Sequence, residues 1–286
     1  MGNFLNTILT YPILNLMVVL YHVLFDNLGL AIIAIAIISR LALIPFTKKQ
    51  TDMTKKMAQL KPELDKLQTK YANNPQKLSE EQMKLYKKVG YNPLGCIGSM
   101  LPQLIILSIL IGVVRSITNN NTEGLYDFVL NWVSNGSGQF TINTVFLGLD
   151  LTQTYNALST VFGRFASQSI PYLSLAILVG VVQFITTKLT AILQNPESVK
   201  NKKKQNKKKN AEPSMEDMQE SMQGSMTLLF PVMTIFISLS APAALGIYWI
   251  TQSLMLIVQY FILDFDRSKK GVQNLFTHLK GKLSKK

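Results

Sequence analysis

Apolar residues along this chain are gathered into long runs, and the polar segments between them are basic. The runs occupy residues 28–47, 94–115, 171–193, 226–240 and 245–263. A helix needs about 20 mostly apolar residues to cross roughly 30 Å of hydrocarbon. The pattern therefore predicts an all-α membrane protein with five transmembrane helices. Only Ala241-Pro242-Ala243-Ala244 separates the last two runs, so they form a tight helical hairpin. Residues 1–27 are apolar too, but Pro12, Asn15, His22 and Asp26 interrupt them. They read either as an N-terminal interfacial helix on the outer leaflet or as an extra span, with Asp26-Asn27 as its turn. The absence of a basic n-region makes them a poor signal peptide.

The polar segments divide into two kinds. In residues 48–93, Met53, Met57, Leu60, Leu64, Leu67 and Tyr71 recur at alternating spacings of four and three, a heptad stripe. Asn73-Asn74-Pro75 breaks it. Ser79 with Gln82 reads as a capping box, and Leu78 with Met83 as its staple. The segment predicts a cytoplasmic helical hairpin. Residues 194–225 instead contain NKKKQNKKKN, a self-repelling run with the composition of a flexible loop. Met215–Met226 reads as a short helix ahead of the fourth run.

Charge sets the orientation. The net charge is +13 although 48% of residues are hydrophobic. Residues 48–93 hold eleven Lys or Arg, residues 194–225 seven and residues 264–286 seven, so these three segments hold 25 of the 29. Residues 1–27 hold none, and the outer segment 116–170 holds only Arg164. Positive segments stay cytoplasmic. Five spans then run N-out and C-in across the membrane.

Arg40 lies within the first run, in the sequence IISRLALIPF. A guanidinium keeps its charge, and none of the runs contains Asp or Glu. Twelve residues beyond Leu28, Arg40 sits roughly 18 Å into the helix. It either snorkels to the cytoplasmic interface or lines a hydrated cavity within the membrane. Gln183, Thr186, Thr187, Thr251 and Gln252 are polar positions in other runs. They read either as helix-to-helix hydrogen-bonding groups or as cavity lining.

Other chemistry is sparse. One cysteine, Cys96, cannot form an internal disulfide or a Cys-rich metal site. Two distant histidines, His22 and His278, do not suggest a metal centre. No cofactor and no DNA partner is predicted. No Ser/His/Asp, HExxH or paired-carboxylate arrangement appears, so the chain does not read as an enzyme. A secondary transporter or small-solute channel remains as the alternative class, although transporters of that kind normally carry intramembrane carboxylates or a repeat of broken helices.

Several segments together resemble one family. GLAIIAIAIISRLALIPFTKKQ, KMAQLKPELDKLQTKY, KLYKKVGYNPLGC, FLGLDL at 146–151 and APAALGIYWITQSLMLIVQY follow each other in the order seen in YidC-type membrane-protein insertases. The resemblance spans about residues 10–265. It implies an insertase and chaperone with five helices around a hydrophilic groove, and nascent membrane-protein clients as partners. Arg40 matches the family's groove arginine, and Tyr248 and Trp249 match its client-contacting pair. Tyr248 and Trp249 also fit an interfacial aromatic belt. Gln183 matches a groove position in the third span, and Thr251 and Gln252 join the groove set. Around the second span the pattern departs. Cys96 follows Pro93 early and the proline comes late, as Pro102-Gln103, so Gln103 enters the groove set on a shifted register. Lys269, Lys270, Lys280, Lys282, Lys285 and Lys286 in the tail fit contact with either a ribosome or anionic lipid. A Sec-type translocon is a further implied partner.

Overall fold

The structure is a computed structural model. It describes residues 6–71, 74–88, 90, 101–118, 123–134, 142–194 and 215–283. The chain is all-α apart from one small β-hairpin. A π-helical turn, Asn6–Thr10, leads into α1 (Tyr11–Val23), followed by α2 (Leu28–Ala42), α3 (Ile44–Lys70), α4 (Pro75–Lys88), α5 (Leu101–Thr118) and α6 (Asp127–Val133). Strands β1 (Val145–Phe146) and β2 (Leu149–Asp150) come next, then α7 (Tyr155–Phe162), α8 (Ile170–Gln194), α9 (Met215–Ser240), α10 (Ala243–Leu263) and α11 (Phe265–Leu283).

Among the described residues, three helical stretches are long and apolar enough to cross a membrane: Asn6–Val23, Ile170–Leu193 and Ala243–Leu263. Leu28–Ala42 with Ile44–Met53 makes a fourth if the pair counts as one broken span. This differs from the five runs in the sequence for local reasons. The first run does not continue as one helix to residue 47. It breaks at Leu43, and Pro45, which cannot donate a backbone N–H, falls where a new helix starts. In the second run the described helix is Leu101–Thr118, with Ile105–Ser116 as its apolar part, and residues 91–100, Cys96 among them, lie outside the described residues. The fourth run is the apolar end, Leu228–Ser240, of a helix that starts at Met215. The short helix expected over Met215–Met226 is therefore the polar N-terminal half of α9. Residues 195–214 of the basic loop lie outside the described residues.

Two compact units divide the chain. The first comprises Met1–Ala42, Leu101–Gln183 and Pro231–Met255. Its core follows helical periodicity: Leu14, Met17, Val18 and Tyr21 on α1, and Leu28, Ala31, Ile32 and Ile35 on α2, are all buried. Leu110 and Val113 of α5, Val179 of α8, and Leu245 and Tyr248 of α10 complete it. Asn15 is buried within this apolar set and fully used. Its amide donates to the carbonyls of Tyr11 and Gly124, each at 2.8 Å, and its carbonyl oxygen accepts the Tyr126 N–H at 2.8 Å. One residue of α1 thus fixes the chain at Gly124 and Tyr126, just ahead of α6. Gly124 has φ +88°, and the Tyr11 ring occupies the space a side chain there would need.

The β-hairpin pairs Val145 with Asp150 and Phe146 with Leu149. Its turn uses Leu147 at φ 51° and Gly148 at φ 78°. Just beyond it, the carbonyls of Gln153 and Leu151 accept the N–H groups of Ala243 and Ala244, both at 2.9 Å. Those are two of the orphan donors at the start of α10. Burial tends to raise the Asp150 carboxyl. The Thr152 N–H at 3.0 Å and hydroxyl at 2.7 Å, with Thr144 and Gln153, outweigh this and hold it below the usual carboxylate value. The folded state therefore keeps this contribution above the unfolded carboxylate pKa and loses it as pH falls through the lowered value.

The second unit comprises Leu43–Met100, Phe184–Phe230 and Leu256–Lys286. Here α3 and α4 form the helical hairpin that the heptad stripe predicts. Leu60 and Leu64 are buried with Tyr86 of α4, and Met53, Leu67 and Tyr71 are half-buried. The side chain of Met57 lies outside the described residues. The second helix does not start at Ser79. It starts at Pro75, whose fixed φ suits a first helical position, and Asn74 Oδ1 accepts the Lys77 N–H at 3.1 Å. Ser79 is then an exposed position in the first turns, and Leu78 is buried. Lys55 of α3 pairs with Asp264 at 2.6 Å, at the junction of α10 and α11. Among the described residues the hairpin buries only a small apolar cluster, Leu60 and Leu64 against Tyr86, and a small core opens easily. Backbone amides of 50–88 should therefore exchange with deuterium faster than those of α8 and α10. Equal protection in a hydrogen-exchange experiment would contradict a mobile hairpin.

Candidate functional site

Most of a transmembrane helix offers only apolar side chains and satisfied backbone, so polar groups inside it need partners. On α2, Ala36, Ser39 and Arg40 lie one turn apart along the helix, and α10 carries Tyr248 and Gln252 at the same spacing. The first unit brings these two sets together. Arg40 donates from Nη2 to the Gln252 carbonyl at 3.2 Å. The Gln252 amide Nε2 lies 3.0 Å from the Ala36 carbonyl, 2.7 Å from Ser39 Oγ and 3.1 Å from the Tyr248 hydroxyl. Ser39 Oγ donates to the Ala36 carbonyl at 2.9 Å.

Burial separates the members. Tyr248 is 0% exposed and Gln252 3%, whereas Ser39, Arg40 and Trp249 are half-buried. Tyr248 therefore sits behind the cluster rather than on a surface. Of the two aromatic neighbours, Trp249 is the accessible one. A second polar pair joins α8 to α10 one residue further on, where Ser253 Oγ donates to Gln183 Oε1 at 3.1 Å. Thr251 is half-buried and donates to the Ile247 carbonyl of its own helix at 2.9 Å. The Gln103 side chain lies outside the described residues.

The remaining cations are surface groups. Lys269 and Lys270 are exposed on α11. The side chains of Lys280 and Lys282, and all of Lys285 and Lys286, lie outside the described residues. Lys188 stands over the Phe184 ring at 4.2 Å, an arrangement in which ring and cation attract. Among the described residues no group of three or more His, Cys, Asp or Glu could hold a metal ion.

Sequence reasoning missed Ser253 and the Ala36 carbonyl. A backbone carbonyl leaves no trace in residue identity. Ser253 could have been found, since it lies one turn after Trp249 and next to Gln252.

Buried polar groups that join apolar helices define a class: a multi-helix membrane protein with a hydrogen-bonded, half-buried charge between two of its helices. The chain matches the model of the 60Kd inner membrane protein family over residues 19–270. It is similar to the membrane protein insertase YidC of Fusobacterium nucleatum, 31% identical over 246 residues, which are 86% of this chain and 88% of that protein. It is similar to the membrane protein insertase MisCA of Bacillus subtilis, 28% identical over 277 residues, 94% of this chain and 82% of that one. It also resembles the chloroplastic ALBINO3-like protein 1 of Arabidopsis thaliana, 27% identical over 252 residues, 88% of this chain and 46% of that protein. The chain belongs to the 60Kd inner membrane protein family, the family of the YidC-type insertases.

Proposed function

We propose that this chain is a membrane-protein insertase and chaperone that works through a hydrophilic groove built around Arg40. Membership of the insertase family supports the activity, and the Arg40–Gln252 contact at 3.2 Å is the observation that carries the groove. A charge held by a carbonyl between two helices, half exposed, can meet a polar segment without leaving the protein.

The physical task is to move a short hydrophilic flank of a client across hydrocarbon. A charged side chain at the bilayer centre costs about 2.5–3.5 kcal/mol on insertion scales. A wet groove shortens the dry path, and Arg40 attracts acidic and polar client segments. Gln183, Gln103, Thr251 and Gln252 line or shape the groove, and Trp249 offers the client an amphipathic ring. Tyr248 belongs to the same set but acts from behind it. The client's apolar segment then leaves sideways into lipid. No covalent step is needed.

Five spans around the groove, N-out and C-in, follow from the lysine distribution. Residues 1–27 then form either the outer interfacial helix or an extra span. Cysteines placed at positions 145–165 should react with a membrane-impermeant maleimide in intact cells, and cysteines at 201–209 should not. Labelling at 201–209 would overturn the orientation and the groove's cytoplasmic opening with it.

The basic tail has a separate role. Lys269, Lys270, Lys280, Lys282, Lys285 and Lys286 meet ribosomal RNA phosphate or anionic lipid, whereas a Sec-type translocon would join for longer clients. Removing residues 269–286 should weaken ribosome co-sedimentation and flatten its salt dependence, because each phosphate contact adds to the salt slope. Unchanged sedimentation at all salt concentrations would assign those charges to lipid.

A further inference from the structure

We infer that Gln252 and Tyr248 form an internal strut that sets the position of Arg40, and that their role is positioning, not client contact. The inference rests on the reading of Arg40 as the groove charge, and it names what makes that charge ready.

Arg40 has five donors on a long side chain with about 2 kcal/mol of rotamer entropy. Left to itself it would sample many orientations and snorkel toward water. The structure constrains it at two levels. At the tip, the guanidinium meets the Gln252 carbonyl. At the base, the Gln252 amide reaches across to the turn that carries Arg40. The Ala36 carbonyl, 3.0 Å from that amide, lies four residues before Arg40, where a helix places the acceptor for the Arg40 N–H. Ser39, the residue before Arg40, is bonded to both the same amide and the same carbonyl. One residue of α10 thus holds the arginine by its main chain and holds the arginine's own turn by its side chain.

Tyr248 completes the strut. It lies one turn before Gln252 on α10, and its hydroxyl is 3.1 Å from the same amide nitrogen. Both residues are at least nine-tenths buried. A client segment passing over the half-exposed Arg40 would not touch them. Their chemistry is also wrong for a contact surface. The Gln252 amide hydrogens point at acceptors within the protein, so they are not offered to a client.

A residue that merely packs two helices would, when replaced, lower insertion of every client alike. A strut that aims Arg40 would lower insertion of clients that use its charge more than of those that do not. The test uses full-length protein in vesicles and two single-span clients with tails of equal length, one acidic and one uncharged. Insertion is measured by protease protection. Gln252→Leu should lower the acidic-to-uncharged insertion ratio by about fivefold, the worth of one or two neutral hydrogen bonds. Tyr248→Phe should lower the same ratio by less. Gln252→Asn, too short to span the gap, should behave like leucine.

A second measurement does not depend on any client. Arg40→Cys, alkylated by a water-soluble maleimide, should react faster when combined with Gln252→Leu than with Gln252 intact, because the turn is then unfastened. Unchanged alkylation, or an equal fall in insertion of both clients, would overturn the strut. A changed alkylation rate, with both clients equally affected also by Arg40→Ala, would keep the strut and overturn charge attraction instead.

Discussion

Gly29→Val should lower thermal stability, because a side chain there meets Phe146. A Cβ at Gly29 would overlap the Phe146 ring at Cγ and both Cδ atoms. Rotation about the Cβ–Cγ bond leaves Cγ where it is, so Phe146 must leave or α2 must shift. Phe146 is paired with Leu149 in the β-hairpin. The residues just after that hairpin accept the first N–H groups of α10 through Leu151 and Gln153. The disturbance therefore travels from α2 to the start of α10. Overpacking of this kind costs typically 1–3 kcal/mol, and each kcal/mol corresponds to about 2–4 °C in Tm for a chain of this size class. A thermal-shift scan in detergent checks it. Phe146→Ala alone should also destabilise, by emptying the same space. The double variant should recover part of the loss, since the valine fills the room the ring has left. Wild-type stability of Gly29→Val, or strict additivity in the double variant, would show that the ring does not depend on the glycine.

What the sequence disclosed depended on whether a feature is periodic or relational. The heptad stripe of α3 gave the hairpin correctly, because Leu60 and Leu64 repeat at helical spacing and have to face something. Its turn was located by Asn74-Pro75, but the cap was assigned to Ser79. A serine followed three residues later by glutamine looks like a capping box wherever it falls, and the stronger signal was the asparagine directly before a proline. Apolar runs located α8 and α10 well. They located α2 less well, because an unbroken apolar string says nothing about the break at Leu43, which only Pro45 hinted at.

The polar cluster was half legible. Arg40 stood out as a charge in an apolar run, and Gln252 as an amide in another, but no pattern joins positions 40 and 252. Their meeting is a tertiary fact set by packing of α2 and α10 in one core. The distinction between Tyr248 and Trp249 was not legible at all. Adjacent residues on a helix point about 100° apart, so one faces the core and its neighbour does not. Which of them does so depends on where Leu245 and Ala244 pack. Likewise the short strands around Gly148 are too brief to show alternation, and only Leu147-Gly148, with both residues at positive φ, marks the turn.

Arg40→Ala should lower insertion of a single-span client with a short acidic N-terminal tail by about tenfold, consistent with the loss of a charge-assisted interaction worth about 1.5–3 kcal/mol. The substitution removes a donor from the Gln252 carbonyl, and that carbonyl can turn to water in a hydrated groove, so the protein should accumulate normally. Even a half-buried charge carries some desolvation cost that alanine does not, and thermal stability should stay equal or rise. Arg40→Lys should retain intermediate insertion. An ammonium is still a cation, but it lacks the planar fork that can hold the Gln252 carbonyl and a client carboxylate together. Arg40→Glu should be the most defective variant for the acidic tail, because attraction becomes repulsion. The same variant should insert a client with a short basic tail better than Arg40→Ala does, an inversion that loss of folding could not produce. Protease protection in reconstituted vesicles reads all four proteins against both tails. Wild-type insertion of the acidic tail by Arg40→Ala would show that the charge does not attract clients. Hydration and a thinned bilayer would then carry the transfer, and the contact between Arg40 and Gln252 would serve helix packing alone.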